Sequence, residues 1–534
     1  MIRGRLSFYL ALVLLAGLAL VLREAPILPS SPAAFAMQNV PAKILRWAAD
    51  TSSGAPYVFQ DPSNPTTLIG FEVDLIDALA AELGMTPQFV QNQWDGLIPG
   101  LKRGEYELAI NGIEITPDRS QEVTFSKPYY LTFEQLTVRQ GTVGLTTLAD
   151  CRGKMVGTLQ ASLAERLLQA EGGVSIRTYE DEINAYQDLI LGRIDAVLLD
   201  YPIALYYAAP NPQLAQVGGP IGQLAYGIAM RKEDTELVNQ INAAFDRLVA
   251  NGTWATILAK WNLWTPVMAD SLQQAAPPGI EPTGYLAYLQ AIHREAGLWA
   301  KVVSYAKFLP LFFWGAVRTL QISLLSMSLA VCAGLLIALT RLYLPKPFQL
   351  LSVLYVETIR GTPLLIQLFF LFYALPNIGI KLSPLVAAVL GLGLNYAAYE
   401  SENYRAGILS VPKGQMEAAR ALGMTHWQAL RYVILPQSFR LVLPPVTNDF
   451  ISLLKDSSLV SVITMVELTK VYTQVSAATF DYFGTGLIVA TIYLLLGLPF
   501  ARLARWAERQ LDVEQGQPMG ALGRAAGRPN QLSA

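Results

Sequence analysis

The second half of the chain contains long runs without a charged residue, and these runs constrain its fold most. Four of them, of 22, 20, 18 and 20 residues, occupy Thr319–Thr340, Gly361–Ile380, Leu382–Tyr399 and Tyr482–Ala501. Each approaches the ~20 residues that an α-helix needs to cross a bilayer. A fifth apolar stretch, Leu441–Val466, carries three charges. The pattern predicts an all-α membrane domain of five helices over residues 311–510.

The N-terminus and the loops predict the orientation of these helices. An apolar run, Leu6–Leu22, follows Arg3 and Arg5, which is typical of a signal peptide or signal anchor over residues 1–36. Cleavage after Ala36 is plausible and stays open. With the following domain outside, ten cations fall in inner segments: Arg341, Lys346, Arg405, Lys413, Arg420, Arg431, Arg440, Arg502, Arg505 and Arg509. The outer loops hold Lys381 and Lys470, so the positive-inside rule agrees.

The composition excludes several classes of protein. Only 15% of the 534 residues are charged, against roughly 25% in soluble domains, so a purely soluble chain is not expected. With 39 Lys and Arg against 41 Asp and Glu, there is no basic excess for nucleic acid. Two cysteines and two histidines exclude a disulfide framework and provide no metal cluster. No catalytic residues and no bound cofactor are expected.

Residues 38–263 have the pattern of a soluble α/β domain. Short apolar runs alternate with amphipathic helices, such as the helix from Asp74 that stops at Gly84. A second set begins at Lys154, with a helix from Ser162. Two such sets predict two lobes with parallel sheets and a ligand cleft at the carboxyl ends of the strands. Residues 264–310 are interpreted as a linker and an interfacial helix, and residues 511–534 as a flexible cytosolic tail.

Motifs in this domain resemble the polar-amino-acid-binding proteins of ABC importers. They are Gly70-Phe71-Glu72-Val73-Asp74-Leu75, Trp94-Asp95-Gly96-Leu97-Ile98-Pro99-Gly100-Leu101, Asn111-Gly112-Ile113-Glu114-Ile115-Thr116-Pro117-Asp118-Arg119, Phe125-Ser126-Lys127-Pro128-Tyr129-Tyr130 and Ile194-Asp195-Ala196-Val197-Leu198-Leu199-Asp200. The resemblance implies an α/β two-lobed periplasmic-binding-protein-like fold. It also implies that Arg119 clamps the α-carboxylate of an amino acid and that Asp200 holds its α-amino group. The pocket would be lined by Asp50, Phe71, Asn111, Gly112, Glu114, Leu159 and Ser162.

Two departures from this family bear on the substrate. Glu114 stands where the family often has Ser or Thr, and an added carboxylate would suit a cationic side chain. Ser53-Gly54-Ala55 replaces the usual aromatic residue, which implies a looser pocket. We therefore expect basic amino acids (arginine, lysine, histidine), with glutamine tolerated.

The segment between the third run and the fifth stretch resembles the EAA loop of ABC importer permeases. Glu417, Ala418 and Ala419 are followed by Gly423 and by Val433-Ile434-Leu435-Pro436 at the family's spacing. The resemblance implies that this loop docks a cytosolic ABC ATPase. The chain has no G-x-x-x-x-G-K-[ST] motif, so ATP would be used by that separate subunit. Five helices make half a path, which implies a homodimer or a similar second permease.

Charges inside the apolar stretches are costly, so they mark either function or pairing. Glu357 and Arg360 stand three residues apart and could pair, and Lys455 and Asp456 could pair with a facing helix. Glu402 and Asn448 could line a path for polar cargo. Structural ion pairing remains the alternative for all of them.

The sequence thus predicts a fused binding protein and permease of an amino acid ABC importer, multi-pass in the inner membrane with its binding domain outside. An importer for glutamine or glutamate is the nearest alternative. A ligand-gated ion channel of the glutamate-receptor type is the main alternative from another class. It fits poorly because both lobes precede all five predicted helices. A sensor or chemoreceptor is disfavoured because no kinase or signalling region follows the last predicted helix. An enzyme such as a dehydratase is disfavoured because it would have no use for an EAA loop.

Overall fold

The computed structural model describes residues 43–61, 64–160, 162–179, 181–275, 277, 279–292, 305–479 and 481–512. The predicted signal segment, the cleavage site and most of the predicted tail lie outside these residues. The described chain forms an α/β domain, two linker helices and a helical domain.

The strands of the α/β domain form two five-stranded sheets and one small hairpin. They are β1 Ile44–Ala49, β2 Phe59–Gln60, β3 Leu68–Ile69, β4 Thr86–Gln91, β5 Leu108–Ala109, β6 Thr124–Phe125, β7 Tyr130–Arg139, β8 Met155–Leu159, β9 Ser175–Tyr179, β10 Ala196–Asp200, β11 Leu214–Tyr226 and β12 Ala229–Met230. The first sheet has the order β4-β1-β5-β12-β6, the second β11-β7-β10-β8-β9, and β2 pairs with β3.

Each large sheet is the core of one lobe, as the sequence predicts. β1 runs parallel to β4 and β5, and β8 runs parallel to β9 and β10. Both sheets also contain antiparallel strands, because the chain crosses between lobes twice. It enters the second lobe on β7 and returns from β11 to β12, which pairs antiparallel with β5 and β6. The predicted all-parallel arrangement is therefore corrected to a mixed one.

Helices pack on both sheets and begin and end largely where the sequence predicts. They are Phe71–Leu83, Leu97–Arg103, Pro117–Glu122, Leu163–Glu171, Glu182–Ile190, Tyr201–Ile203, Thr235–Ala250 and Thr253–Lys260. The Ser162 hydroxyl caps the fourth of these helices by accepting from the Glu165 N–H at 3.2 Å. Gly84 ends the first in the left-handed conformation, at φ 63°. Both are local signals, since a cap or a C-terminal glycine acts on its own turn.

The linker contains two helices that pack against the α/β domain, Pro266–Leu272 and Thr283–Ile292. Tyr288 is only 4% exposed and donates to the Tyr206 carbonyl at 2.9 Å. The sequence assigned the aromatic residues of this segment to a membrane interface. The structure instead places Tyr288 in the core of the α/β domain, where its ring contacts those of Phe59 and Tyr206.

The helical domain begins with a 35-residue helix. Its helices are Leu309–Tyr343, Lys346–Arg360, Leu364–Phe369, Pro384–Leu409, Lys413–Ala421, His426–Ala429, Leu435–Asp456, Leu468–Thr479 and Tyr482–Asp512. By length and hydropathy, two described helices are apolar enough to span a membrane, Leu309–Tyr343 and the part of the last helix up to Trp506. A bent pair, Lys346–Arg360 with Leu364–Ile378, makes a third if it counts as one span. Helices Pro384–Leu409 and Leu435–Asp456 cover the other two predicted segments but are not apolar enough to count as spans by the same measure.

The second span differs from its prediction. The uncharged run Gly361–Ile380 was expected to be one helix, but its first three residues form a break between two helices that meet at 106°. Pro363 lies just before the helix that begins at Leu364. A residue before proline is pushed out of helical geometry, so the apolar run does not start a helix at Gly361. If the bent pair counts as one span, that span begins with the charged helix Lys346–Arg360.

Two spans approach closely where the sequence has a small residue. A Cβ built at Gly334 would lie 2.7 Å from the Glu400 Cβ and 3.0 Å from the Ala397 carbonyl oxygen. Small residues let helix backbones approach in a membrane, where packing drives association. Gly334 therefore fixes the distance between helices Leu309–Tyr343 and Pro384–Leu409.

We expect Gly334→Ala to destabilise the chain by about 1–3 kcal/mol, because the added methyl group meets a rigid backbone. Gly414→Ala is the matched control, since a Cβ there meets nothing within 4 Å. Thermal unfolding of the detergent-solubilised chain measures both. An equal melting temperature for the two variants would contradict this packing.

Candidate functional site

The first wall of the cleft carries Arg119, which the structure holds in a short capped helix. The Thr116 hydroxyl accepts from the Arg119 N–H at 3.3 Å and so fixes the first turn. The guanidinium pairs with the Glu114 carboxylate and donates to the Glu114 carbonyl at 3.2 Å. It also lies 5.5 Å from the Trp94 ring, within range of a cation–π contact. Burial, with the nearby Arg166 charge, lowers the pKa of Arg119 to about 10.

Glu114 joins the two lobes. Its second carboxylate oxygen accepts from the Leu163 N–H at 3.1 Å, at the start of a helix of the second lobe. The N-terminus of a helix favours an anion, because its first N–H groups have no partner within the helix. The Glu114 carboxylate thus sits between a guanidinium and a helix N-terminus. A ligand carboxylate would seek the same two partners and would have to compete with Glu114 for them.

The opposite wall carries Asp200 at the end of β10. Its carboxylate accepts from the Tyr226 hydroxyl, which in turn lies 3.0 Å from that of Tyr57. Burial raises the pKa of Asp200, while Tyr226 and the Arg119 charge act in the other direction. Arg119 thus belongs to the first lobe, in the helix before β6, and Asp200 to the second, at the end of β10.

Glu134 is a second buried acid on this wall, and the sequence motifs did not identify it. It stands directly opposite Asp200 in the antiparallel pair of β7 and β10. Burial raises the pKa of Glu134 well above its usual value, and the Asp200 charge raises it further. Two adjacent carboxyls in one buried site do not both ionise easily. Glu134 is thus the carboxyl of the pair that is harder to ionise.

Asp50 ends β1 and is surrounded by donors. Its carboxylate accepts from the N–H groups of Ser52 at 3.0 Å and Trp94 at 3.1 Å, and from the Gln91 amide at 3.0 Å. Its own N–H donates to the side chain of Asn111 at 2.7 Å. Asp50 and Asn111 thus fix one another at the base of the first wall.

Other predicted pocket residues lie around this base and on the second wall. Gly112 has a φ of 63° and packs under the Tyr57 ring, where a Cβ would come within 2.8 Å of a ring carbon. Phe71 is fully buried among aromatic rings that include Tyr57. Leu159 ends β8, and its carbonyl accepts from the capping hydroxyl of Ser162 at 2.8 Å. Leu159 and Ser162 thus lie at the start of the helix whose Leu163 N–H reaches Glu114, whereas Phe71 lies in the core of the α/β domain rather than in a pocket wall.

A small cavity opens beside Arg119. It has a volume of about 170 Å³ and is lined by Trp94, Asp95, Leu97, Ile98, Ile113 and Arg119. Its lining is largely apolar, with the guanidinium at one side. Within the described residues, no group of three or more His, Cys, Asp or Glu side chains is placed to hold a metal ion.

The helix Leu468–Thr479, here called the bridging helix, connects the helical domain to the α/β domain. Its Lys470 forms an ion pair with Asp50 at 3.0 Å, and its Gln474 donates to the Thr51 hydroxyl at 2.8 Å. Nearby, Lys381 donates to the Arg103 carbonyl at 3.0 Å. Lys381 and Lys470 are the two cations that the sequence assigns to outer loops. Both therefore lie on the face of the helical domain that the α/β domain covers.

The EAA segment, Lys413–Ala429, lies at the other end of the first long helix. Its short helix ends at Ala421, and Gly423 follows in the left-handed conformation, at φ 85°, as the sequence predicts. Ala419 is buried, whereas Leu422 and Trp427 are 81% and 64% exposed. The His426 ring lies 5.6 Å from that of Tyr343, at the last residue of the long helix.

Comparison with known proteins places both halves of the chain. Residues 45–263 match the bacterial extracellular solute-binding proteins of family 3, and residues 330–513 match the inner membrane components of binding-protein-dependent transport systems. The chain belongs to the amino acid ABC importers. It fuses a binding domain and a permease domain in one polypeptide, and it is a transport protein rather than an enzyme.

Three permease relatives show how close the match is. The L-cystine transport permease TcyB of Bacillus subtilis is 41% identical over 206 residues, 38% of this chain and 88% of the relative. The glutamine transport permease GlnP of Escherichia coli K12 is 36% identical over 207 residues, 38% and 94% of the two chains. The arginine transport permease ArtQ of Bacillus subtilis is 35% identical over 204 residues, 38% and 93%.

The permease domain of this importer encloses a polar cavity at the break in its second span. The cavity has a volume of about 570 Å³ and is lined by Arg360, Gly361, Thr362, Pro363, Leu364, Asn395, Tyr396, Tyr399, Asp449, Ser452 and Asp456. Asp456 accepts from the Tyr396 hydroxyl at 2.7 Å, and Tyr396 belongs to the facing helix Pro384–Leu409. Asp456 therefore contacts a facing helix, as expected from the sequence. The predicted path residue Asn448 is not among these lining residues, whereas its neighbour Asp449 is.

Glu402, the other predicted path residue, is held in ion pairs. It pairs with Arg341 of the first span and with Arg405 at 2.7 Å. Glu402 thus joins two helices by ion pairing. Structural ion pairing is the alternative to a place in the cargo path that the sequence left open. Glu357 and Arg360 form no ion pair among the described residues; Arg360 lies instead 5.2 Å from the Tyr399 ring.

Sequence reasoning missed three groups that shape the binding cleft of the α/β domain. Glu134 and Tyr226 come from β7 and β11, far along the chain from Asp200, and Lys470 comes from the other domain. No spacing rule connects them. The one available signal was Lys470 itself, a charge in an external loop of a chain with few charges.

We expect Asp200→Asn to weaken amino acid binding by about 100-fold, because a hydrogen-bonded charge contact is worth about 1.5–3 kcal/mol. Glu134→Gln should change the affinity less than about threefold, since a neutral acid and an amide have the same shape and no charge. Calorimetric titration of the full chain with arginine measures both. Equal losses in the two variants would show that Glu134 is ionised and contacts the ligand.

Proposed function

We propose that this chain captures basic amino acids (arginine, lysine and histidine), with glutamine tolerated, and passes them through its permease domain at the expense of ATP hydrolysed by a separate subunit. The observation that carries the proposal is the placement of Arg119 and Asp200 on opposite walls of one cleft. The proposal that glutamine or glutamate is the main substrate is the runner-up.

The clamp suits a zwitterion. A free amino acid leaving water needs an opposite charge at each end, and a guanidinium grips a carboxylate through two parallel hydrogen bonds. In this proposal Arg119 and the Leu163 N–H take the α-carboxylate, and Asp200 takes the α-ammonium. The ligand carboxylate replaces that of Glu114, which frees an acid inside the cleft.

The charge of the cleft favours a cationic side chain. Asp50, Glu114, Glu134 and Asp200 are carboxyl groups in this region. Lys470 balances Asp50, and Arg119 balances Glu114. When the ligand carboxylate displaces Glu114 from Arg119, the freed Glu114 carboxylate is the acid that attracts a cationic side chain. The relatives carry cystine, glutamine and arginine, which supports the class of amino acids rather than one member. In this proposal the freed Glu114 carboxylate selects among them.

The route begins on the face of the permease that the binding domain covers, which we place outside the cell in keeping with the predicted N-terminal export signal. The polar cavity beside Pro363 lies within the permease domain and offers Asn395, Asp449 and Asp456 to a polar cargo. Because a single permease domain supplies one side of such a path, we propose that two copies of the chain, or this chain and a similar permease, assemble in the inner membrane.

The energy enters at the EAA segment. Leu422 and Trp427 are exposed beside the left-handed Gly423, and an exposed aromatic residue is a common anchor of protein interfaces. We propose that a cytosolic ABC ATPase binds here, with Glu417 and Ala418 at its edge. Its motion would pass along the 35-residue first span, about 50 Å in length, to the bridging helix at the other end.

Titration of the full chain with arginine, lysine, histidine, glutamine and glutamate tests the substrate. We expect arginine to bind tightest and Arg119→Lys to weaken it by about 10–100-fold, because an ammonium cannot form the two parallel bonds. Arg152→Lys is the control, since Arg152 is 63% exposed in a surface pair with Glu171. Binding of acidic amino acids alone would contradict the proposed substrate.

Trp427→Ala tests the coupling site. We expect it to lower ATP-driven uptake into proteoliposomes at least 10-fold while amino acid binding is unchanged, since the side chain contacts the partner rather than the cleft. Phe483→Ala is the control, because Phe483 is 84% exposed at the opposite end of the domain. Equal uptake by the two variants, or a ligand-evoked ionic current without ATP, would contradict the proposal.

A further inference from the structure

A buried ion pair connects the binding cleft to the permease. Lys470 of the bridging helix and Asp50 at the end of β1 are 420 residues apart in the chain, yet their charged atoms are 3.0 Å apart. The side chains are only 4% and 10% exposed. Breaking a buried pair by removing one partner leaves an uncompensated charge, which is strongly destabilising. Loss of either side chain would therefore leave the other charge buried without its partner.

The bridging helix is built to hold Lys470 in this position. The Glu467 carboxylate caps the helix by accepting from the Lys470 N–H at 2.9 Å and the Thr469 N–H at 2.9 Å. One turn further on, Gln474 donates to the Thr51 hydroxyl, so Lys470 and Gln474 point from one helix face toward the end of β1. Apolar residues of the same helix, Leu468 and Val471, pack on the first residues of the first span.

Lys470 donates to the more heavily used oxygen of the Asp50 carboxylate. Ser52, Gln91 and Lys470 all donate to Oδ1, and Trp94 donates through its N–H to Oδ2. Trp94 also places its ring beside Arg119. Asp50 is thus on the same wall as the clamp. Because Oδ1 already has three donors, a second cation on that oxygen competes with Lys470.

From this geometry we infer that Lys470 is a built-in competitor for the cationic side chain of the ligand. The inference rests on the proposed function, because it requires that basic amino acids bind in this cleft. A basic ligand that takes Asp50 expels Lys470 and breaks the contact between the binding domain and the bridging helix. Conversely, docking of the bridging helix weakens the hold on a basic ligand. A neutral ligand such as glutamine leaves the pair intact.

The experiment compares arginine and glutamine affinities of the full chain in detergent, with and without Lys470. We expect Lys470→Gln to bind arginine at least about 10-fold more tightly and glutamine within about threefold of the unchanged chain. Lys470→Arg, which keeps the charge, should leave both affinities near their original values, and it stays informative if Lys470→Gln folds poorly. Asp50→Asn should abolish the effect of Lys470→Gln on arginine.

Lys381→Gln is the matched control, because Lys381 also connects the two domains but contacts a backbone carbonyl rather than Asp50. We expect it to change neither affinity. Equal shifts for arginine and glutamine, or no shift, would overturn the inference while leaving amino acid binding intact. A chain that binds glutamine but not arginine, even without Lys470, would overturn it as well. A chain that binds no amino acid would overturn the proposed function itself.

Discussion

Buried charge needs a partner, and the charged groups of this cleft find theirs at very different separations along the chain, from five residues to 420. Arg119 takes Glu114, Asp200 takes Tyr226, and Asp50 takes Lys470 from the other domain. Each pair is at least partly buried, and an unpaired charge in a buried position is costly. A zwitterionic ligand therefore adds its charges to an existing network and must exchange partners with it.

The need to pair buried charge also connects the two domains, because Asp50 of the binding domain pairs with Lys470 of the permease domain. The bridging helix lies between helices Leu435–Asp456 and Tyr482–Asp512 in the chain. It reaches the binding domain through Lys470 and Gln474. Its apolar face rests on the start of the first span, whose end contacts the EAA segment through Tyr343. One continuous helix thus connects the face near the cleft with the EAA segment, where we propose that the ATPase binds. A rigid element of this kind can transmit a displacement without any change in its own conformation.

The sequence predicted those features that depend on local signals. Ser162 caps a helix and Gly84 and Gly423 end helices as expected, because each acts within one turn. The two lobes and the family of both domains also follow from the motifs. The break at Pro363 was missed, because hydropathy reports apolar length and not helix continuity. Contacts between distant residues, such as that of Lys470 with Asp50, leave no trace in spacing.

The same distinction separates the parts of the candidate site. Arg119, Glu114 and Asn111 come from one motif and lie together. Tyr288 and Glu402 show the opposite case, since residues chosen for their chemical type turned out to have structural roles. A polar or aromatic side chain in an apolar context indicates that something must satisfy it. Only the fold shows whether that partner is cargo, lipid or another helix.

The most direct test of the account is an experimental structure of the full chain with bound arginine. We predict that the α-carboxylate of the ligand lies on Arg119 and the Leu163 N–H, with its α-ammonium on Asp200 and the Glu114 carboxylate moved away from Arg119. An arginine bound elsewhere, with the pair of Arg119 and Glu114 unchanged, would contradict it.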